Sequence, residues 1–326
     1  METGVVVVGC GYWGRNLART FSELGSLASI CDADEGALAE QAALYPAVEA
    51  TSGFTDALAS DVGVVVLATP AATHFQMAVD ALAAGKDVFV EKPLALRYRD
   101  GRQLVEAAEA AGRILMVGHV LEYHPAFEKL KELIAGGELG ELRYVYSNRL
   151  NLGRVRREEN ILWSFAPHDI SAITTLLSAE PLQVATSGGS YLREGIADVT
   201  LTSMLFPGGI RAHVFVSWLH PFKEQRLVVI GDQRMAVFSD TEPAAKLKIY
   251  DIDWHDGEPT QRSETVVGVS SDEPLRRECE HLLACVRGRA HPRTDGINGL
   301  KVLRILEASQ TSLERGGAIV SLSEVT

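Results

Sequence analysis

The sequence predicts an α/β protein. An N-terminal domain built on a doubly wound parallel sheet is followed by an α+β domain with an open, mainly antiparallel sheet. In the first part of the chain, short apolar runs alternate with helical patterns, which is typical of βαβ units. Farther along, strand patterns follow one another through short turn sequences, which favour antiparallel pairing. We therefore expect two domains, residues 1–120 and 121–326.

Length and composition agree with this organisation. The chain has 326 residues, and a prior of about 150 residues per domain predicts about two domains. Hydrophobic residues make up 46% and charged residues 23%, as in ordinary folded proteins. Lys and Arg total 31 against 43 for Asp and Glu, a formal net charge of −12. Because this acidic chain has neither an overall basic charge nor a basic amphipathic arm, we expect neither nucleic acid nor membrane as a partner.

The N-terminus and the cysteines indicate a reducing compartment. The first residues lack the basic start and the apolar run of a signal peptide, so we expect a cytoplasmic protein. The four cysteines form no CxxC pair, and two of them lie in apolar strand patterns. We therefore expect reduced core thiols rather than disulfides or metal ligands. They are Cys10, Cys31, Cys279 and Cys285.

The elements of the first domain are short and clearly separated. Its strand patterns are rich in Val and Ile and are bounded by Gly, Asp or Pro. The predicted strands are Val5–Val8, Leu27–Cys31, Val64–Ala68, Val88–Val90 and Ile114–Val117. The predicted helices are Gly14–Leu24, Glu35–Leu44, His74–Ala84 and Tyr98–Ala110. The last of these ends at Gly112, because glycine commonly caps a helix C-terminus.

The second domain begins with a predicted helix over His124–Ala135 and continues mostly as strands. Turn sequences such as Phe206-Pro207-Gly208-Gly209 connect them. The predicted strands are Arg143–Leu150, Leu182–Ser187, Val199–Phe206, Ile210–Trp218, Arg226–Gly231 and Met235–Ser239. The helical patterns Asp272–Val286 and Gly299–Arg315 close the chain.

The strongest motif is Gly9-Cys10-Gly11-Tyr12-Trp13-Gly14, which directly follows a strand pattern and opens a helix. Gly9 permits a tight turn, Gly11 lets the backbone approach a pyrophosphate, and Gly14 allows close packing of the helix on the strand. The helix N-terminus adds unpaired N–H groups. The alternative is a glycine-rich turn without a ligand. The position of the motif at the start of a βαβ array favours a dinucleotide-binding Rossmann domain.

Asp32 follows the second predicted strand and bears on the choice of dinucleotide. A carboxylate there accepts hydrogen bonds from ribose hydroxyls and repels a 2′-phosphate. Asp34 and Glu35 add negative charge, and the neighbouring sequence holds no Arg or Lys. We therefore expect NAD rather than NADP. The alternative is an ordinary turn aspartate that caps the next helix.

Two further segments follow predicted strands of the parallel sheet. They are Ala68-Thr69-Pro70, with His74 in the next helix, and Glu91-Lys92-Pro93. Loops at the carboxyl ends of parallel strands are where α/β sheets bind ligands. Lys92 is therefore a candidate for the nicotinamide neighbourhood. From chemistry alone, a surface lysine before a helix-starting proline remains an alternative.

These segments, in this order and spacing, resemble the glucose–fructose oxidoreductase / inositol dehydrogenase (Gfo/Idh/MocA) family over the whole chain. The resemblance implies an NAD-dependent sugar dehydrogenase with an open antiparallel sheet in its second domain. It implies cofactor contacts from Gly9, Gly11, Tyr12, Trp13, Gly14, Asp32, Thr69, Pro70, His74, Glu91 and Lys92.

The resemblance also implies two catalytic residues. In this family the lysine of the EKP triplet contacts the reacting hydroxyl, and a histidine of the second domain often acts as acid/base. The matching residues are Lys92 and His168. The family usually has Asp four residues before this histidine, but Ser164 stands there, which leaves open what orients the imidazole. Asp169 is adjacent in sequence, but on a helix its side chain would point elsewhere. Without the resemblance, a capping or core histidine is the favoured interpretation.

Arginines concentrate in a polar segment upstream of His168. Arg149, Arg154, Arg156 and Arg157 lie close together in an acidic protein. Arginine binds phosphate oxygens bidentately, so this cluster suits a phosphorylated or nucleotide-linked substrate. The alternative is a solvated loop whose charges Glu158 and Glu159 neutralise. The predicted substrate-binding residues are Tyr123, Asn148, Arg149, Arg154, Arg157, Asn160 and Trp163.

The segment from Asn148 to His168 resembles nucleotide-sugar dehydrogenases of the same family. This narrower resemblance implies oxidation of a ring hydroxyl, at C3 of a sugar such as UDP-N-acetylglucosamine, in lipid A or surface polysaccharide biosynthesis. Three alternatives stay open: a keto-nucleotide-sugar reductase, an inositol-type dehydrogenase and a non-catalytic NAD-binding regulator. His119, Glu122, Tyr123 and His124 could line the cleft, but neither HExxH nor zinc spacing is present, so we expect no metal.

Alternating apolar residues in the second domain predict an assembly. Val214, Val216 and Trp218 share one strand face, and Val228 and Ile230 alternate likewise. One face of an open sheet packs on helices, and the other needs cover. We expect a homo-oligomer, either a dimer or a tetramer.

Overall fold

The computed structural model describes residues 3–153, 155–156, 159–255 and 258–326. The chain forms two compact units, Met1–Val120 with Glu273–Leu303, and Leu121–Asp272 with Arg304–Thr326. The boundary after residue 120 agrees with the sequence. The expected continuous second domain over 121–326 is corrected, because residues 273–303 return to the first unit. Gly296 and Gly299 allow this segment to pack closely against Leu115, Val105, Val117 and Leu94.

The first unit contains a six-stranded sheet with the order β3-β2-β1-β4-β5-β6, in which every pairing is parallel. The strands are β1 (Val5–Val8), β2 (Leu27–Cys31), β3 (Glu49–Thr51), β4 (Val64–Leu67), β5 (Asp87–Glu91) and β6 (Leu115–Gly118). The helices between them are α1 (Tyr12–Glu23), α2 (Glu35–Leu44), α3 (Phe54–Ala59), α4 (Ala71–Ala83) and α5 (Tyr98–Ala111). The predicted doubly wound sheet is confirmed.

Burial explains why the central strands read as continuous apolar runs. β1 and β4 are fully buried along their length, as expected for parallel strands covered on both faces. Gly112 ends α5 with a φ of 61°, the left-handed conformation that the sequence predicted for a C-terminal cap. The elements β3 and α3 escaped prediction, because both are short and largely exposed.

The second unit holds a nine-stranded sheet with the order β14-β13-β12-β11-β7-β10-β9-β8-β15. Its pairings are antiparallel except between β7 and β10, so the predicted mainly antiparallel sheet is confirmed. From residue 121 onward the elements are α6 (Pro125–Ala135), β7 (Leu142–Leu150), α7 (Ile161–Leu177), β8 (Gln183–Gly189), β9 (Val199–Leu205), β10 (Arg211–Ser217), β11 (Glu224–Gly231), β12 (Arg234–Ser239), β13 (Leu247–His255), β14 (Glu258–Val266), α8 (Pro274–Gly288), α9 (Gly296–Glu314) and β15 (Val320–Ser321).

The two faces of the large sheet differ. Val214 is opposite Ser147 in the register, and Ser147 bonds to Asp169 of α7, so this face packs on α7. The other face carries Tyr144, Tyr146 and His213, where the Tyr146 and His213 rings stack with centroids 5.1 Å apart. No helix in the described ranges is both long and apolar enough to cross a bilayer.

Candidate active site

The glycine-rich loop between β1 and α1 has the shape that its sequence predicts. Gly9 has a φ of 100°, which favours glycine. A Cβ on Gly14 would lie 1.6 Å from the Gly9 carbonyl oxygen, so only glycine lets α1 start this close to the loop. A Cβ on Gly11 would meet no atom within 4 Å. The open backbone at Gly11 and the N-terminus of α1 therefore form a cradle that fits a pyrophosphate.

The two aromatic residues of the loop differ in exposure. Tyr12 is 79% exposed, whereas Trp13 is half-buried. Their rings meet edge to face with centroids 5.9 Å apart. Both remain proposed cofactor contacts.

Asp32 lies just beyond the end of β2 and is fixed by backbone amides. Its Oδ2 accepts a hydrogen bond from the Cys10 N–H at 2.5 Å, and its Oδ1 accepts one from the Asp34 N–H at 2.8 Å. The side chain that caps α2 belongs to Asp34, so the capping alternative for Asp32 does not apply. Burial and the Asp32 carboxylate raise the pKa of Cys10 to about 12, so this thiol stays protonated.

His74 braces two loops at the carboxyl edge of the sheet. Its Nδ1 lies 2.8 Å from the Pro93 carbonyl oxygen, and its Nε2 lies 2.9 Å from the Thr69 carbonyl oxygen. Both ring nitrogens therefore contact protein groups, which supports a positioning role for this predicted cofactor residue. Thr69 also accepts a hydrogen bond from the Thr73 hydroxyl at 2.8 Å, and Pro70 is exposed before α4.

Glu91 and Lys92 stand where β5 ends, and the Lys92–Pro93 bond is cis. In the register, Glu91 is opposite Gly118 of β6, and a Cβ on Gly118 would lie 3.1 Å from the Glu91 carboxyl carbon. Gly118 thus makes room for a buried carboxyl. Burial raises the pKa of Glu91 to about 7, although the Lys92 ammonium and backbone N–H oppose this shift.

His119 lies beside Lys92. Glu91 of β5 is paired with Gly118 of β6, and Lys92 and His119 are the next residues of these two strands' chains. Neighbouring strands are about 4.8 Å apart. The side chain is 1% exposed, and neither ring nitrogen has a hydrogen-bond partner in the described part of the chain. Burial and the Lys92 ammonium lower the pKa of His119 to about 3. The imidazole is therefore uncharged at neutral pH.

In the second unit, His168 lies on α7, a helix that the strand-dominated prediction missed. His168 is half-buried, and Ser164 precedes it by one helical turn. The Asp169 carboxylate accepts hydrogen bonds from Arg149 Nε at 2.7 Å and from the Ser147 hydroxyl at 2.5 Å. It faces β7, as helical geometry predicts, and is not the group that orients His168.

The predicted arginine cluster is only partly described. Arg149 is largely buried, and its second contact to Asp169 is 3.2 Å long. Asn148 Nδ2 donates to Glu224 at 2.9 Å. Arg156 pairs with Glu159, which agrees with the neutralised-loop alternative for that arginine. Arg154 and Arg157 lie outside the described residues.

Asn160 and Trp163 meet a residue that sequence reasoning missed. The Gln310 Oε1 of α9 accepts hydrogen bonds from Asn160 Nδ2 at 2.9 Å and from Trp163 Nε1 at 3.2 Å. Gln310 Nε2 donates to Glu314 at 2.8 Å. Asn160, Gln310 and Glu314 line a cavity of ≈ 250 Å³ together with Gly188. No local motif marks Gln310, because its partners lie far away in sequence.

The residues around α6 are tied into the second unit. Tyr123 is buried, and Glu122 accepts hydrogen bonds from Ser171 and, at 3.0 Å, from Thr175. His124 caps α6 by accepting from the Ala126 N–H, so it has a structural role. Among the described residues, no cluster of three His, Cys, Asp or Glu side chains is placed to hold a metal ion.

Comparison with known proteins defines the class. A family model described as the oxidoreductase family with NAD-binding Rossmann fold matches residues 3–119, and the GFO/IDH/MocA C-terminal domain matches residues 127–237. The chain carries an NAD-binding fold of an oxidoreductase, in agreement with the glycine cradle and Asp32. It belongs to the Gfo/Idh/MocA family.

Individual relatives differ in their substrates. UDP-N-acetylglucosamine 3-dehydrogenase from Acidithiobacillus ferrooxidans is 27% identical over 93% of this chain and 94% of that protein. Its solved structure has a TM-score of 0.87 at 26% identity, covering 97% of this chain and 99% of that one. The scyllo-inositol 2-dehydrogenase (NAD(+)) of Bacillus subtilis is 29% identical over 60% of this chain and 61% of its own. Levoglucosan dehydrogenase in complex with NADH shares the fold, with a TM-score of 0.87 at 18% identity over 99% of each chain.

Proposed function

We propose that this protein is an NAD-dependent dehydrogenase that oxidises a ring hydroxyl of a nucleotide sugar. The proposed substrate is UDP-N-acetylglucosamine or a close analogue, and the proposed product is its 3-keto sugar. The observation that carries the chemistry is Lys92 at the carboxyl edge of the parallel sheet, beside the buried Glu91 and His119. The similarity to a UDP-N-acetylglucosamine 3-dehydrogenase, which extends over nearly the whole chain, supports the substrate class.

In this proposal, Lys92 donates a hydrogen bond to the reacting hydroxyl and stabilises negative charge as it develops on the oxygen. The bound nicotinamide supplies the hydride acceptor. His74 fixes the loop that carries Lys92, through the Pro93 carbonyl. Glu91 and His119 shield the base of that loop from water, because both are buried.

The hydroxyl proton needs a base, and the two candidate imidazoles differ. His119 binds a proton only near pH 3, so it is a poor proton acceptor at neutral pH. His168 is half-buried on α7 and is the remaining candidate. We assign it the role of general base, because histidine is the side chain that most often transfers protons in catalysis.

The substrate residues divide into two proposed roles. Arg149 is held by Asp169, which supports a positioning role that ties β7 to α7. We propose Arg154 and Arg157 as the phosphate ligands. Asn160 and Trp163 form a wall supported by Gln310, while Tyr123 and Asn148 complete the proposed set.

The test is incubation of the purified protein with NAD and a panel of UDP-sugars, dTDP-sugars and scyllo-inositol. Absorbance of the reduced cofactor follows turnover, and an aminooxy reagent traps the ketone so that mass spectrometry and NMR can locate it. We expect turnover with UDP-N-acetylglucosamine and trapping at C3. Turnover of free inositol alone would contradict the proposal, as would reduction of keto nucleotide sugars alone in a parallel assay with NADH. Cofactor binding without turnover of any sugar would favour a regulator.

We also propose a homo-oligomer. The open sheet face carries Tyr144, Tyr146 and the exposed Leu201, an apolar surface that a second subunit would cover. Sedimentation velocity at micromolar concentration tests this, and a monomeric sedimentation coefficient would contradict it.

A further inference from the structure

Arg15, the residue after Gly14, lies against the glycine-rich loop. Its Nε donates a hydrogen bond to the Cys10 carbonyl oxygen at 3.1 Å. Its Nη2 donates to Glu40 Oε2 of α2 at 2.5 Å. The Arg15 side chain is 47% exposed and that of Glu40 67%. A guanidinium thus stands at the rim of the proposed dinucleotide cradle, although the sequence around Asp32 contains no nearby cation.

Cys10 connects this guanidinium to the carboxylate of Asp32. The Cys10 N–H donates to Asp32 at 2.5 Å, and its carbonyl oxygen accepts from Arg15. Arg15 and Asp32 therefore contact two ends of the same residue. Asp32 stands where a Rossmann fold reads the 2′ position of the adenosine ribose. The 2′ position thus faces a carboxylate, with a guanidinium close by.

We propose that Arg15 and Glu40 form a second determinant of dinucleotide selectivity, in which Glu40 occupies a guanidinium that would otherwise bind a 2′-phosphate. The inference rests on the NAD-binding part of the proposed function and is independent of the sugar. Asp32 repels the phosphate directly. Glu40 acts one step away, because it neutralises and orients Arg15.

The role of this ion pair can be tested by substitution, because both side chains are exposed. Exposed pairs contribute little stability, so replacing Glu40 releases the guanidinium without unfolding the protein. A free guanidinium binds phosphate oxygens through two parallel N–H donors. Asp34 and Glu35 remain nearby and weaken the attraction. Removal of Glu40 alone should therefore have a small effect, and removal of both Asp32 and Glu40 a larger one.

The experiment measures the dissociation constants of NADH and NADPH on the full chain, from the fluorescence of the reduced nicotinamide. The variants are D32S, D32S/E40Q and D32S/E40Q/R15M. The matched control is D32S/E273Q, because Glu273 pairs with Arg19 of α1 at the same 2.5 Å and with similar exposure. Circular dichroism and thermal unfolding establish that each variant is folded.

We expect the wild-type protein to bind NADH far more tightly than NADPH. D32S should lower the ratio of the NADPH dissociation constant to the NADH dissociation constant. Adding E40Q to D32S should tighten NADPH binding by about a further tenfold, which is what one charge-assisted hydrogen bond contributes. R15M should remove that gain, while E273Q should leave the D32S ratio unchanged. The gain should shrink between about 20 mM and about 500 mM KCl, because the pair is exposed.

Two results would overturn the inference. One is that adding E40Q to D32S changes NADH and NADPH affinity equally. The other is that the gain in NADPH affinity persists in D32S/E40Q/R15M. Absence of NADH binding by the wild-type protein would instead contradict the NAD dependence proposed above. Because no sugar is present, failure to find a substrate does not affect the outcome.

Discussion

The two units of this protein position their candidate site residues by different means. In the first unit, Gly11, Asp32 and Lys92 stand in or beside backbone turns at the ends of parallel strands. In the second unit, the candidate residues are held by side chains from distant segments, as with Arg149 and Asp169 or Trp163 and Gln310. The positions at strand ends can be predicted from neighbouring residues in the sequence. The contacts between distant side chains form only when the second unit is folded.

This difference separates the expected effects of substitution. A change at the end of a strand in the first unit should alter chemistry or cofactor binding and leave the fold intact. A change in the second unit should first disturb a buried pair, and therefore stability or substrate affinity. Substitutions in each unit test whether the two units differ in this way.

The largest expected effect is on turnover. Lys92→Met should lower kcat about a thousandfold, because it removes the cation that stabilises the developing alkoxide. NADH affinity should stay within about threefold, since one contact of many is lost. Stopped-flow absorbance and fluorescence titration measure the two quantities. Lys129→Met, at an exposed lysine paired with Glu132, is the control.

His168→Asn tests whether the second unit contributes to the same step. Loss of a general base should lower kcat by about a hundredfold. If Lys92 and His168 act on one hydroxyl, the double variant should lose less than the product of the two single effects. Near-wild-type rates in either single variant would remove the role assigned to that residue.

Arg149→Met should destabilise the second unit by about 3–5 kcal/mol, because it leaves the Asp169 carboxylate buried without its cation. Arg149→Met with Asp169→Leu should recover part of this loss. Urea unfolding measures both. Arg156→Met, in a partly exposed pair with Glu159, should change stability by at most about 1 kcal/mol. Equal losses of stability in Arg149→Met and Arg156→Met would contradict a stabilising role for the buried Arg149–Asp169 pair.

Glu91→Gln tests the raised pKa of the buried Glu91 carboxyl through the pH dependence of stability. The folded pKa of about 7 lies above the ordinary 4.5, so the stability that protonated Glu91 contributes is complete below pH 4.5 and lost as the pH rises to 7. The stability of Glu91→Gln relative to wild type should therefore increase over this window, by up to about 3 kcal/mol. The opposite contribution of His119 is present in both proteins and cancels.

Urea unfolding at several pH values between about 5 and about 8 measures that difference. A difference independent of pH would show that the Glu91 carboxyl titrates normally in the folded protein.

The smallest expected effect concerns Gln310. Gln310→Leu removes the acceptor shared by Asn160 and Trp163, so KM for the sugar nucleotide should rise by about tenfold with kcat nearly unchanged. Glu314→Gln keeps a partner for Gln310 and is the control. An equal loss of kcat and kcat/KM would instead indicate a role in the chemical step.

The sequence predicted the first unit closely because its signals are local. The predicted boundaries of the central strands and their helices lie within one residue of the structure in nearly every case, and Gly112 caps α5 as expected. The glycine loop and Asp32 were predicted from their place after predicted strands, whereas the role of Lys92 rests on the family resemblance. Arg15 was overlooked as a neighbour of Asp32, because the contact through Cys10 is a property of the folded loop.

The second unit was predicted less completely. Helix α7 escaped because it is buried on most sides and contains Pro167, so its apolar residues show no helical stripe. Strands β13 and β14 are rich in charged and polar residues and gave no strand signal. Gln310 and the return of residues 273–303 to the first unit depend on contacts across most of the chain.

Strand β6 pairs with β5 on one side only. On its other side, the Val117 N–H donates to the Thr294 carbonyl oxygen at 2.8 Å, and the Thr294 hydroxyl donates back to the Val117 carbonyl oxygen at 2.7 Å. Thr294 leaves the ribosome long after β6 does. During translation the nascent nucleotide-binding sheet therefore carries an open edge, which neighbouring nascent chains could pair with, until residue 294 has been made.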